Sequence, residues 1–124
     1  MIPKSKKGLI VQKGEPNYRR PSGPLWEPSA DIYRTPEGLK IKFDLAGVKS
    51  HDLDVHLVNN KLIVRGVRRD SFITNGWSYH QLEITYSRFE RVLTLPCDPC
   101  ELPGADIRTE CLDGWLVIHI DFKG

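Results

Sequence analysis

The sequence predicts an all-β sandwich or barrel, and three observations carry that reading. From Trp26 onward apolar residues recur in short runs of period two, turn residues punctuate those runs, and no stretch of useful length has helical periodicity. There is also no internal repeat in this part of the chain.

Ile32 and Tyr33 form a brief first strand, stopped by Pro36-Glu37-Gly38. Leu39, Ile41, Phe43 and Leu45 alternate with Lys40, Lys42 and Asp44 to give a half-buried strand that ends at Ala46-Gly47. Leu53, Val55 and Leu57 repeat the pattern around Asp54 and His56. Asn59-Asn60 then turns the chain into Leu62 and Val64, since Asn tolerates the positive φ of a tight hairpin.

Residues 68–76 are polar and close on Asn75-Gly76, which predicts a long exposed loop. Residues 79–84 have weaker strand character, inside or just after it. Phe89, Arg91, Leu93 and Leu95 share one face of the next strand, with Glu90, Val92 and Thr94 on the other, and Pro96 closes it. Residues 97–104 contain Pro99 and Pro103 and must be irregular. Residues 107–111 are a short strand, Asp113-Gly114 is the most explicit hairpin turn, and Leu116, Ile118, Ile120 and Phe122 share a face of the last strand.

At 124 residues the chain fits one domain that closes a two-layer core without metal or disulfide staples. No window approaches the roughly eighteen apolar residues of a membrane span, and Leu9-Ile10-Val11 is too short for a signal-peptide core. The expectation is a soluble cytoplasmic protein with no membrane partner. Three cysteines, an odd number, argue for reduced thiols over a disulfide framework.

Residues 1–25 carry six cations against Glu15, a balance of +5, which leaves −3 for the rest of a chain whose net charge is +2. They also hold four prolines and three glycines. Such a composition buries too little apolar surface to offset the ordering of its backbone, so a flexible basic arm over 1–25 and a folded domain over 26–124 are expected.

Five spaced pieces of the sequence resemble the α-crystallin domain of small heat-shock proteins: Trp26-Glu27-Pro28 with Asp31-Ile32, Asp44-Leu45-Ala46-Gly47-Val48, Leu62-Ile63-Val64-Arg65-Gly66 with Arg68, the strand from Phe89 to Pro96, and Asp113-Gly114-Trp115-Leu116. Ala46 stands where the family usually has proline and Trp115 where it has valine. The resemblance implies an immunoglobulin-like two-sheet β-sandwich and an ATP-independent chaperone that binds partly unfolded proteins and suppresses their aggregation. It implies neither cofactor nor catalysis.

The long loop matches the bacterial and plant type. There, residues 79–84 would pair with the first strand of a partner subunit in a reciprocal homodimer, with Ile32, Tyr79, Leu82, Ile84 and Arg91 at the interface. Larger homo-oligomers normally use a C-terminal extension bearing Ile-x-Ile, and this sequence ends at Lys123-Gly124 without one. Ile118-His119-Ile120 has the spacing, but within a strand whose isoleucines face the core. In the family an apolar groove, here lined by Val55, Leu57, Ile107 and Thr109, receives that motif. Leu9 and Val11 could supply the two teeth instead, because residues i and i+2 of an extended segment project to the same side. Ordinary sandwich core is the plain alternative for each lining residue.

A guanidinium keeps its proton in a protein, so Arg91 on an apolar face needs a partner. Its head reaches solvent or an intrachain carboxylate such as Glu83 or Asp44, or else meets its partner at a dimer interface. Cys97-Asp98-Pro99-Cys100 is a C-x-x-C outside the strand-to-helix context that makes such pairs redox-active, and with no second pair it reads as incidental loop thiols. His51, His56, His80 and His119 form no spaced metal set. No nucleophile elbow, phosphate loop or H-E-x-x-H occurs. One aromatic, Tyr18, among the arm's cations is a poor nucleic-acid footprint. The reading is therefore a non-enzymatic holdase, with a CS-domain-like co-chaperone or other protein-binding sandwich as the alternative.

Overall fold

A computed structural model describes residues 5–6, 9–16, 26–72 and 74–122. Nine strands form two sheets: β1 (Ser5–Lys6), β2 (Val11–Lys13), β3 (Ala30–Arg34), β4 (Gly38–Asp44), β5 (Leu53–Val58), β6 (Lys61–Val67), β7 (Arg88–Thr94), β8 (Asp106–Leu112) and β9 (Trp115–Asp121). One sheet has the order β1-β8-β9-β4-β3 and the other β2-β5-β6-β7. Single 3-10 turns at Ser50–Asp52 and Pro99–Glu101 are the helical elements among the described residues.

The alternation sets which side chains meet. Leu39, Ile41 and Phe43 of β4 and Leu116, Ile118 and Ile120 of β9 face Val55, Leu57, Leu62, Val64, Phe89 and Leu93 from the second sheet, all buried. Two tight turns hold the register. Asp113 and Gly114 both take positive φ, 51° and 84°, the mirror-image turn whose twist suits a β8–β9 hairpin. Asn59 does so between β5 and β6. At Gly66 a Cβ would collide with the Asp52 carbonyl and the Phe89 ring, so the chain passes there only without a side chain.

Residues 79–84 form no strand in the single chain. A strand exists through its ladder, and no described strand lies against this segment to receive its backbone hydrogen bonds. The arm, in turn, contains β1 and β2. Each gains a ladder by joining a sheet edge, β1 antiparallel to β8 and β2 parallel to β5.

Candidate functional site

The sandwich has two open sides, where the edge strands of one sheet stand over those of the other. On the first, β5 and β8 leave a gap that the arm threads. Ser5 and Lys6 pair with Leu112 and Cys111 of β8. Further along, the Leu9 carbonyl accepts a hydrogen bond from Thr109 Oγ1 at 2.7 Å, and Val11 and Lys13 then align with Val55 and Leu57 of β5. The ladder closes where Gly14 N donates to the Leu57 carbonyl at 2.9 Å, and His56 Nδ1 lies 3.2 Å from the Gly14 carbonyl oxygen.

Leu9 and Val11 pack partly buried against the core, while Ile10 between them is 74% exposed. Of the four expected groove residues, Val55 and Leu57 on β5 and Thr109 on β8 are buried, and Ile107 on β8 is half-buried. Val55 and Leu57 also belong to the sandwich core, so floor and core are the same atoms.

On the opposite side, side chains span the gap. Arg91 Nη1 of β7 donates to the Pro28 carbonyl at 3.0 Å, and Arg34 Nη2 of β3 donates to the Pro96 carbonyl at 2.7 Å. Neither expected carboxylate, Glu83 or Asp44, holds Arg91. Its charge is met by a backbone dipole in the same chain, and its head is only half-buried. The more deeply buried arginine is Arg65, 3% exposed, with Nε 3.6 Å from Glu90 Oε2. The signal for this pair lies in the β6–β7 register, which sets Arg65 opposite Glu90.

Next to the laced side the loop of residues 68–87 leaves the sheet. Arg68 anchors its root, donating from Nε to the Thr85 carbonyl at 2.8 Å and from Nη1 to the Ala46 carbonyl at 3.3 Å. The same guanidinium lies 3.8 Å over the Trp26 ring, which meets Phe89 edge-on at 5.5 Å. Beyond the root the apolar side chains face water: Phe72 is 77% exposed, and Trp77, Tyr79, Leu82 and Ile84 are more than half exposed. Ile32 on the β3 edge is also exposed.

Burial, followed by the Glu101 carboxylate, holds the Cys97 thiol above its ordinary value of 9.0, against the opposing pull of Arg34. A hydrogen bond to Asp98 and that residue's charge do the same to Cys100. Thiols so placed are less ionised at neutral pH and correspondingly poor nucleophiles. His119 Nε2 sits 2.7 Å from Glu110 Oε1. Among the described residues no group of three His, Cys, Asp or Glu could hold a metal, and no helix is long and apolar enough to cross a membrane.

The described residues thus form a two-sheet β-sandwich with an arm strand added to one edge of each sheet and a loop of exposed apolar side chains. The chain belongs to the Hsp20/alpha crystallin family, whose model matches residues 31–123. It is 28% identical to small heat shock protein C2 of Rickettsia felis over 71 residues, 57% of this chain and 46% of that protein. To the 22.7 kDa class IV heat shock protein of Pisum sativum it is 32% identical over 87 residues, 69% and 42% of the two chains. The chain thus spans about half the length of the relatives it matches. Among solved structures, heat shock protein 16.0 of Schizosaccharomyces pombe superimposes with a TM-score of 0.67 at 22% identity, covering 78% of this chain and 87% of that one. A small heat-shock protein of Xylella fastidiosa, reported to have a distinct high order structure, gives a TM-score of 0.64 at 25% identity, covering 82% and 90%.

Proposed function

We propose that this protein is an ATP-independent holdase that binds apolar segments of partly unfolded proteins and keeps them from aggregating. The observation that carries the reading is the row of solvent-facing apolar side chains on residues 72–84, held out from the sheet by the Arg68 anchor. Five large apolar side chains exposed within thirteen residues of one loop make this segment the candidate interaction surface. Family membership supports the choice of unfolding proteins as the partner. No bond is made or broken, so neither nucleotide nor metal is required, and we place the activity in the cytoplasm.

The assembly unit in this reading is a homodimer made by strand exchange. Among the described residues β3 pairs with β4 alone, so its other edge offers backbone groups to which residues 79–84 of a second copy would add. Ile32, Tyr79, Leu82 and Ile84 would then be covered, with Arg91 behind the interface. The edge groove of Val55, Leu57, Ile107 and Thr109 would take extended apolar segments, and the arm's Leu9 and Val11 hold that seat within the chain. Light scattering of a heat-aggregating client without ATP tests the activity: suppression at near-stoichiometric ratio is expected, and undiminished scattering overturns it. Solution mass tests the dimer; a monomer at all concentrations overturns the strand exchange.

A further inference from the structure

Leu9 and Val11 occupy two positions on one face of the arm's extended segment, and the next position on that face is Lys13, in register with Leu57. There the groove widens into a cleft of about 350 Å³, walled by Leu57, Val58, Pro99, Leu102 and Pro103, with Lys13 at its mouth. No acidic side chain lines it. A lysine head avoids apolar walls and turns to water, and Lys13 is exposed. An apolar cavity of about 150 Å³ already accepts a benzene-sized group, so this cleft has room for an aliphatic side chain.

We propose that the cleft is a third side-chain subsite of the edge groove, and that its ligand is an extended peptide segment with aliphatic residues at i, i+2 and i+4. This rests on the groove reading given above. The occupant follows from continuity: the cleft prolongs the seat of Leu9 and Val11 along the same β5 edge, at the spacing of one further same-face residue. Arm and ligand make the same ladder to β5, so they differ by the third tooth. The arm is a built-in competitor that lacks it, and Lys13 sets how readily the arm gives way.

The test uses the full chain and two fluorescent peptides, Ser-Leu-Thr-Val-Thr-Leu-Ser and the same peptide with lysine as its third tooth, followed by anisotropy. The three-tooth peptide is expected to bind about 10- to 100-fold tighter, the worth of burying one leucine. Pro103→Asn, a neutral polar residue on the exposed rim, should abolish most of that ratio and leave the two-tooth peptide nearly unchanged. Lys13→Leu should weaken both peptides, because the arm then fills the cleft. Equal affinities for the unsubstituted protein, or a ratio untouched by Pro103→Asn, would overturn the subsite. The Leu9→Ser/Val11→Ser variant separates the two levels. Equal binding of both peptides to it keeps the groove and removes the third subsite, whereas no binding of either removes the groove and the subsite with it.

Discussion

The two open sides of this sandwich are closed by different means. Between β5 and β8 the arm supplies a backbone ladder and two apolar side chains, contacts that an equivalent extended segment could reproduce. Between β3 and β7 two guanidiniums reach backbone carbonyls, each a single contact between fixed atoms. A ladder is generic and exchangeable; an arginine aimed at one carbonyl is specific to its own fold. We read the first as a side that takes a segment and the second as a side that holds the layers together.

Substitutions can break that contrast, beginning with the largest effect. Leu57→Ala removes an atom group shared by groove floor and core and should cost about 2–5 kcal/mol in denaturant unfolding. A loss below about 1 kcal/mol would mean that the groove side carries little of the core. Arg91→Ala should cost about 1.5–3 kcal/mol, the worth of a hydrogen bond to a charged donor, and an unchanged melting temperature would contradict the lacing. Leu9→Ser/Val11→Ser affects side chains only partly buried and should cost about 1–2 kcal/mol. Its distinctive mark is faster amide exchange along β5 with β7 unaltered; equal acceleration in both would erase the contrast between the sides.

Arg34→Ala, at an exposed contact, should cost no more than about 1 kcal/mol. Because its guanidinium favours the Cys97 thiolate, that variant should also alkylate more slowly at Cys97. The smallest effect is alkaline. The folded Cys97 and Cys100 thiols keep their protons above the ordinary 9.0, so their part of the stability is intact below that pH and declines as pH rises past it. Cys97→Ser/Cys100→Ser should lose less melting temperature than the unsubstituted protein between about pH 8 and pH 10.

Elements written locally were legible in the sequence. Alternation located β4, β5, β6, β7 and β9, because each buries one face and the period shows it. Asp113-Gly114 marked its hairpin because both residues accept the left-handed backbone that the turn requires. Elements that depend on a distant partner were not. Composition cannot name Val55 as the partner of Val11, and the two-tooth spacing of Leu9 and Val11 pointed to that groove only through the family resemblance. Arg91 was conspicuous as a charge on an apolar face, but its acceptor is a backbone carbonyl, a group present at every position and so without a signature. Arg65 and Glu90 each look ordinary until strand register sets them opposite one another. Residues 79–84 carry strand character without a strand, because propensity supplies one side of a ladder only.

The hydrogen bond from Thr109 to the Leu9 carbonyl joins residues 100 positions apart. During synthesis Leu9 precedes Thr109 by 100 residues, so this contact waits until β8 has been made. Contacts of such separation form late for entropic reasons as well. The arm's seat between β5 and β8 is thus completed only after nearly the whole sandwich has been synthesised.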